Sequence, residues 1–341
     1  MPDSAAVLAP RRPLRGAEPQ GACFASVACA LPDTVVGNGA IAERLGVSED
    51  WIFTRTGVRE RRVLAAGESV TDLACAAGER ALGAAGLDAE ELGLVLVATT
   101  TPDEIAPGCG PLVAARLGAT GAAGIDVSSS CTGFLAAASA AAAYVEAGRM
   151  RHVLVVGVDA PSRLVDPDDR DTAPLFGDGA GAVVVSACSG ASRIGPIVLR
   201  TDGAWADCIR VGREEPYVRM QGHDTYKRAV IALSAATVAA VAAAGRTLDE
   251  IEHFVYHQAN GRILTAVADR LDQPRGRFVN CIESYANTAA ASIPIALAES
   301  LDDGELQPDA QVVIGACGAG FTWGAAVVEW GGPRGGDRAP A

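Results

Sequence analysis

The sequence predicts an α/β fold built from two similar halves, and three observations lead to it. Residues 84–97 recur at 243–256, where Ala-Ala-Gly again leads through acidic residues into a short apolar run. A second apolar run, at 153–157, has its counterpart at 311–315. The runs are continuously apolar rather than alternating, which is typical of strands covered by helices on both faces of a sheet.

Each half repeats one order of elements: a helix, a short strand, a loop, an Ala-rich helix, a strand, a loop and a final strand. The Ala-rich segments lie at 134–147 and 288–298. Because small residues occupy every face of these segments, both helices are expected to pass through the middle of the core. Cys131 stands just before the first segment and Asn287 just before the second. Candidate reactive groups therefore stand at the start of both central helices.

The length and composition indicate about two domains' worth of globular protein. The chain has 341 residues, of which 49% are hydrophobic and 20% are charged. The expected organisation is a flexible tail at 1–20, a first half at 21–190, a second half at 191–330 and a flexible tail at 331–341. Pro and Arg are frequent in the first tail, and Gly, Pro and Arg are frequent in the second.

The charge of the chain excludes several kinds of partner. The net charge is −13 at pH 7, whereas nucleic acid and anionic lipid attract clustered positive surfaces. Residues 1–20 lack the apolar stretch of a secretory signal, and the apolar run at 134–145 is too short to span a bilayer. We therefore expect a cytoplasmic protein with no nucleic-acid partner and no membrane partner.

Nine cysteines are present, yet their spacing predicts neither disulfides nor a metal site. Their number is odd, and no Cys-x-x-Cys pair occurs. Most of them stand in apolar sequence, as Cys188 does, and are expected to be buried and inert.

Cys131 is the candidate nucleophile among them. It lies between a predicted strand and a predicted buried helix. Unpaired N–H groups and the dipole at a helix N-terminus favour a thiolate there. The alternative is a buried cysteine that only fills a small space, so the assignment depends on partners elsewhere in the chain.

Two such partners lie in the second half. His257 follows a predicted buried strand, where loop residues gather into active sites, and the chain has only four histidines. A hydrogen-bonded core histidine is the alternative. Asn287 begins the second Ala-rich helix, and its alternative role is that of a helix N-cap.

Together these motifs resemble one known family. They are the Cys131 segment, His-Gln-Ala-Asn at 257–260, Asn-Thr at 287–288, Phe-Gly-Asp-Gly-Ala-Gly-Ala at 176–182 and Gly-Phe-Thr-Trp-Gly at 320–324. In order and spacing, residues 21–330 resemble the thiolase-fold condensing enzymes of the β-ketoacyl-acyl-carrier-protein synthase III type. The resemblance implies a thiolase-like five-layer αβαβα fold, in agreement with the repeat, and a homodimer.

The resemblance also implies a mechanism. Cys131 would attack an acyl-CoA thioester while the backbone N–H groups of Cys131 and Ala319 hold the oxyanion. His257, in its neutral form, and Asn287 would then donate hydrogen bonds to a malonyl thioester on an acyl carrier protein as carbon dioxide leaves. The resulting enolate would attack the acyl group on Cys131 and so initiate fatty-acid or polyketide synthesis. Acyl-CoA is implied as a substrate, and no cofactor or metal is implied.

Binding roles carry over by the same resemblance. Trp51 matches an adenine-stacking tryptophan, Arg170 matches the arginine on the other face of the ring, and Arg55 belongs to the same CoA-binding segment. Ala106 stands where a partner subunit closes the acyl pocket, and its small side chain predicts room for a starter larger than acetyl. The predicted carrier-protein contacts are Lys227, Arg228, Arg262 and Arg270. Each of these charges alone is otherwise a solvated surface residue.

Three positions in the second half depart from the family pattern. Ala286 and Ala319 stand in place of glycine, and Cys317 stands in place of an aromatic residue. These changes reshape the malonyl pocket, so plain acyl transfer from CoA or a carrier protein to another acceptor is the alternative reaction. They also favour a specialised polyketide pathway over primary fatty-acid synthesis. A non-catalytic partner of a larger synthase is a third hypothesis. The Gly-Asp-Gly-Ala-Gly run at 177–181 resembles a dinucleotide-binding motif, but a strand is predicted after it where that motif needs a helix.

Overall fold

The computed structural model describes residues 20–332 except Ser192. The predicted tails at 1–20 and 331–341 fall almost entirely outside the described residues. The strands are β1 (Gly21–Ala30), β2 (Val35–Gly37), β3 (Glu60–Arg62), β4 (Leu94–Ala98), β5 (Ala123–Val127), β6 (His152–Asp159), β7 (Gly179–Cys188), β8 (Val198–Thr201), β9 (Ile209–Val211), β10 (Val218–Met220), β11 (His253–Tyr256), β12 (Gln311–Gly318) and β13 (Thr322–Glu329). The helices are α1 (Asn38–Leu45), α2 (Glu49–Thr56), α3 (Val70–Ala85), α4 (Cys109–Arg116), α5 (Gly133–Glu146), α6 (Gly222–Ala243), α7 (Gly261–Leu271), α8 (Ile282–Tyr285) and α9 (Ser292–Asp302).

The two large sheets share one topology. In the first, the strand order is β1-β7-β6-β4-β5; β7 is antiparallel to both neighbours, and β4 is parallel to β6 and β5. In the second, the order is β8-β13-β12-β11, with β13 antiparallel to both neighbours and β12 parallel to β11. A parallel bridge between Phe254 and Phe278 occupies the place that β5 has in the first sheet. The internal repeat of the sequence is thus a repeat of sheet architecture.

The elements stack in five layers. Helices α5 and α9 lie between the sheets, where their apolar side chains share one core with both sheets. Helices α3 and α4 cover the outer face of the first sheet, and α6 and α7 cover that of the second. The central layer is packed closely, since a Cβ atom on Gly157 would overlap the carbonyl oxygen of Ala290. This is the αβαβα order predicted from the sequence, with the Ala-rich helices in the middle.

A short 3-10 turn precedes each central helix. Ser130–Thr132 leads into α5, and Ala289–Ala291 leads into α9. The second central helix therefore begins at Ser292, later than the sequence indicates. One residue in each turn has a positive φ, 49° at Ser130 and 47° at Ala289. The chain bends sharply at both places, just where the candidate reactive groups stand.

Helix α6 is the one described helix that is long and apolar enough to cross a membrane by length and composition. It packs across β12 and β13. Leu233, Ala236 and Ala240 on one of its faces are buried in the core of the second sheet. Its place in an outer layer of the fold accounts for its apolar composition.

Candidate active site

A cavity of about 840 Å³ contains the predicted reactive residues. Cys131, His257 and Asn287 all line it, although they come from three separate segments. Ala319, the expected second oxyanion donor, lines it as well. The predicted CoA-binding residues Trp51, Arg55 and Arg170 also line it, as does Arg262 of the predicted carrier-protein contacts.

Four predicted residues do not line this cavity. Lys227 and Arg228 lie on α6, Arg270 lies near the end of α7, and the guanidinium group of Arg228 stacks over the ring of Trp205. Ala106 is exposed in the loop between β4 and α4. Within one chain, Ala106 therefore does not contribute to the cavity around Cys131.

Cys131 is held by the turn before α5 and by the end of β12. It is the middle residue of the turn Ser130–Thr132, and Gly318 lies against it. A Cβ atom on Gly318 would be 2.8 Å from the Cβ of Cys131 and 3.3 Å from its Sγ. Only glycine leaves room for the sulfur at this strand end.

The electrostatics of Cys131 differ from the sequence expectation of a thiolate. Burial and, to a smaller extent, the nearby carboxyl of Asp159 together raise the pKa of the thiol to about 12, while the N–H group of Cys131 itself acts in the opposite direction. Desolvation thus outweighs the helix N-terminus, which a separate 3-10 turn keeps apart from the cysteine. The candidate nucleophile is a neutral thiol near pH 7.

His257 comes directly after β11, as predicted, and is buried. Its backbone N–H donates to the carbonyl oxygen of Gly315 at 2.8 Å, which fixes it beside β12. Burial lowers the pKa of the imidazole to about 4, so the ring is neutral near pH 7. The ring Nδ1 atom is buried and has no hydrogen-bond partner among the described residues. Because a buried N–H without an acceptor is rarer than a buried lone pair, we assign the ring proton to Nε2.

Three hydrogen bonds hold Asn287 in place, two through its backbone and one through its side chain. Its N–H donates to Leu175 at 2.9 Å, and its carbonyl oxygen accepts from Gly177 at 3.2 Å. The side-chain Oδ1 accepts from the N–H of Ala289 at 2.9 Å. Asn287 therefore caps the 3-10 turn rather than α9, and its Nδ2 group remains as the donor for the cavity.

The Gly-Asp-Gly-Ala-Gly run supports this arrangement instead of binding a dinucleotide. It leads into strand β7 and not into a helix, as expected. A Cβ atom on Gly177 would lie 2.5 Å from the carbonyl oxygen of Tyr285. The motif allows the segment before Asn287 to pass close to the first sheet.

The His-Gln-Ala-Asn motif is otherwise structural. Gln258 donates to the carbonyl oxygens of Tyr256 and Val279 at 2.8 and 3.1 Å. Asn260 caps α7 and donates to the carbonyl oxygen of Arg55 at 3.0 Å. The bond between Asn260 and Arg55 joins the start of α7 to α2 at the cavity mouth.

The mouth of the cavity is basic and aromatic. Ser48 caps α2 by accepting from the N–H of Trp51 at 3.1 Å, and the Arg55 guanidinium stacks 4.2 Å from the centre of the Trp51 ring. Arg170 donates to the carbonyl oxygen of Leu45 at 3.0 Å. Basic lining residues that the sequence reasoning did not single out are Arg210, Arg213 and His223.

Asp159 is another residue near the site that the sequence reasoning did not single out. It is the last residue of β6 and is completely buried. The available signal was a single acidic residue at the end of an otherwise apolar strand. Its hydrogen bond from the N–H of Ala290 crosses between the halves, and its electrostatic effect on Cys131 joins two separate segments of the first half, so no local pattern shows either.

Comparisons with known proteins relate this geometry to a family. The family profile described as 3-oxoacyl-[acyl-carrier-protein (ACP)] synthase III matches residues 125–203, and the profile of its C-terminal part matches residues 241–330. Beta-ketoacyl-[acyl-carrier-protein] synthase III 2 of Streptomyces coelicolor is 43% identical over 316 residues, which cover 92% of this chain and 94% of that protein.

Solved structures agree with these matches. The 3-oxoacyl-(acyl carrier protein) synthase III of Pseudomonas aeruginosa PAO1 has a TM-score of 0.86 and 39% identity, covering 91% of this chain and 98% of that one. The priming β-ketosynthase of the R1128 polyketide biosynthetic pathway has a TM-score of 0.89 and 33% identity, covering 93% and 98%. The predicted thiolase-like fold is confirmed, and the chain belongs to the β-ketoacyl-[acyl-carrier-protein] synthase III family.

Proposed function

We propose that the chain loads an acyl group from acyl-CoA onto Cys131 and condenses it with a malonyl group on an acyl carrier protein. The observation that carries this proposal is the meeting of Cys131, His257 and Asn287 in one cavity, in a member of the synthase III family. The product is a β-ketoacyl thioester on the carrier protein, which initiates a fatty acid or a polyketide.

In the loading step, the sulfur of Cys131 bonds to the thioester carbonyl carbon and the carbon–sulfur bond to CoA breaks. The backbone N–H groups of Cys131 and Ala319 are assigned to the oxyanion. Because the resting thiol is neutral, its proton leaves as the new bond forms and ends on the CoA sulfur.

In the condensation step, the bond between the malonyl carbon and its carboxylate breaks, and carbon dioxide leaves. The electron pair passes to an enolate, whose oxygen accepts from Nε2 of His257 and Nδ2 of Asn287. The enolate carbon attacks the acyl carbonyl, and Cys131 departs and regains a proton from solvent. These steps use side chains and substrates only and need no cofactor.

The charged mouth of the cavity fits a substrate that carries phosphates. Asp171 is the one acidic residue among its described lining residues. We assign Trp51, Arg55 and Arg170 to CoA, with arginine forks pairing to phosphate oxygens. The surface assigned to the acidic carrier protein consists of Lys227, Arg228, Arg262 and Arg270. Arg262 belongs to both the mouth and this surface, 5.6 Å from the ring of Tyr226.

A homodimer is proposed from the edge of the first sheet. Among the residues that the structure describes, strand β5 has a neighbour on one side only, and an open strand edge favours pairing with another strand. Ile125 on β5 is 44% exposed, and Ile105 in the loop beside Ala106 is 90% exposed. Pairing at this edge gives Ala106 a place at the acyl pocket of a second copy. With no membrane partner assigned, the proposed location is the cytoplasm.

The pocket departures keep acyl transfer without decarboxylation as a second candidate. Cys317 lines the cavity, and its thiol stands where the family resemblance places an aromatic ring. Ala286 likewise carries a methyl group directly before Asn287. Both changes alter the space for the malonyl group and leave the nucleophile in place.

The experiment is intact-protein mass spectrometry after incubation with a panel of acyl-CoAs. Wild type and Cys188→Ala, which removes a partly buried thiol outside the cavity, should gain the acyl mass, whereas Cys131→Ala should not. A chase with malonyl-carrier protein then separates the reactions. Release of carbon dioxide with a β-ketoacyl carrier protein supports condensation, and movement of the acyl group without carbon dioxide supports plain transfer. If no acyl-CoA labels wild type, the catalytic proposal is wrong.

A further inference from the structure

Asp159 is a buried carboxyl group next to the reactive cysteine. It ends β6, is completely inaccessible to solvent, and acts electrostatically on Cys131. Asp159 and Asp178 are the two buried carboxyl groups in the described part of the first half. Of these two, only Asp159 acts electrostatically on Cys131. The groups that donate hydrogen bonds to it are the hydroxyls of Thr99, Thr100 and Thr101 and the backbone N–H groups of Thr100 and Ala290.

The hydrogen-bond pattern identifies Asp159 as an ionised acceptor. The N–H of Thr101 donates to the hydroxyl of Thr99 at 3.1 Å, and the N–H of Ala160 donates to the hydroxyl of Thr101 at 2.8 Å. Each hydroxyl thus accepts one bond and directs its own proton to Asp159, at 3.2 and 3.0 Å. Burial raises the pKa of Asp159, and its donors oppose that shift. Since backbone N–H groups can only donate, the surroundings on both oxygens fit a carboxylate.

The same carboxylate is linked to Asn287 through one turn. The N–H of Ala290 donates to Oδ2 of Asp159 at 3.0 Å, and the preceding N–H, of Ala289, donates to Oδ1 of Asn287 at 2.9 Å. Two consecutive N–H groups therefore hold the acid and the amide in a fixed relation. Movement of the turn would rotate the amide and misdirect Nδ2.

We propose that Asp159 is a positioning residue for the condensation: its carboxylate anchors the turn that orients the Asn287 amide. The proposal rests on the roles proposed above for Cys131 and Asn287. A fixed negative charge in a low-dielectric interior opposes a second one nearby, so the charge of this anchor can be read at the thiol of Cys131. The other titratable groups that face Cys131 are Cys317 from β12 and His257 from the end of β11, and burial keeps both neutral near pH 7.

The charge is tested by the pH dependence of Cys131 alkylation with iodoacetamide, read on the peptide that contains Cys131. Three full-length proteins are compared: wild type, Asp159→Asn and Asp178→Asn. Asp178 is the matched control, because it is also buried and accepts from Leu64 and Ser162. We expect the wild-type inflection well above the ordinary thiol value of about 8.5. It should move down by about one pH unit in Asp159→Asn and stay in place in Asp178→Asn.

The orientation of Asn287 is tested by decarboxylation without an acyl group. Malonyl-carrier protein is supplied to Cys131→Ala and to the double variant Cys131→Ala, Asp159→Asn. The second protein should release carbon dioxide about 10-fold more slowly or worse, since a misdirected donor loses much of a typical oxyanion-hole contribution. A purely structural acid would leave both this rate and the alkylation inflection unchanged.

Two results overturn the proposal. One is an unchanged inflection in folded Asp159→Asn; the other is equal decarboxylation by the two Cys131→Ala proteins. If Asp159→Asn does not fold, wild type still decides: an inflection at or below about 8.5 is incompatible with an opposing charge. Failure of the proposed function is distinguishable from failure of this inference. It would appear as the absence of acyl mass on Cys131 in wild type, whereas the alkylation experiment needs no acyl substrate.

Discussion

Gly318 packs against Cys131 so closely that a single methyl group would not fit between them. The 2.8 Å approach of a Cβ atom at Gly318 to the Cβ of Cys131 is shorter than real Cβ contacts. The last residue of β12 thus forms a wall of the space around the sulfur, and the second half of the chain shapes the surroundings of the candidate nucleophile in the first.

The substitution Gly318→Ala should reduce acylation of Cys131 about 10-fold or more, because overpacking of this size costs about 1–3 kcal/mol and displaces the turn. The rate is read by intact mass during incubation with acyl-CoA. Gly203→Ala is the control, since nothing lies within 4 Å of a Cβ atom there. Equal acylation rates for the two variants would show that the turn around Cys131 can shift to accommodate the methyl group without loss of activity.

The substitution Asn287→Ala should separate the two half-reactions. Loading of Cys131 should continue, while condensation should fall about 100- to 1,000-fold, as expected for a lost oxyanion donor. The measurements are acyl mass on the enzyme and β-ketoacyl carrier protein formed. Asn280→Ala, outside the cavity, should keep both steps. Normal condensation by Asn287→Ala would remove the amide from the mechanism.

His257 should make the protein less stable in acid. Burial lowers the pKa of its ring to about 4, whereas the unfolded chain titrates at about 6.5. As pH falls from about 6.5 to 4, the unfolded state takes up the proton first, so stability is lost in that window and the loss levels off below it. The contribution is about 3 kcal/mol. Urea unfolding across this pH range should show a smaller loss in the free energy of unfolding for His257→Gln than for wild type. Equal losses for the two proteins would contradict the prediction.

Ala286 precedes Asn287 in a conformation that favours glycine, with φ 58° and ψ −157°. Such backbone strain costs about 1–3 kcal/mol, so Ala286→Gly should be neutral or stabilising despite the lost methyl contact. The control is Ala235→Gly on the exposed face of α6, which should cost about 1 kcal/mol as helical glycines do. Denaturant unfolding compares the two. A larger cost for Ala286→Gly would show that the methyl contributes more packing than strain.

The repeat and the positions of the candidate site residues were predictable because each signal can be read within its own segment. Each Ala-rich helix is visible in its own segment, and Cys131, His257 and Asn287 each stand at the boundary of a predicted element. Sheets covered on both faces and helices in the middle of the core follow from segments that are apolar on every face, and the five-layer order followed from the family resemblance. These features need no knowledge of what packs against them.

The protonation state of Cys131 could not be predicted in this way. It depends on Asp159 and on burial by Gly318, which approach from other strands. The start of α9 was predicted too early because Ala289–Ala291 form a 3-10 turn with a positive φ at Ala289, a bend that the run of alanines does not reveal. Ala106 shows a third kind of limit, because its expected role involves a second chain.

The two 3-10 turns before the central helices have the same shape and different surroundings. Cys131 is in the middle of the first turn and Ala290 is in the middle of the second. The first turn presents a sulfur to the cavity, while the second has an inert methyl group at the same place and gives its N–H to Asp159. The symmetry of the architecture is therefore preserved in the backbone and abandoned in the side chains.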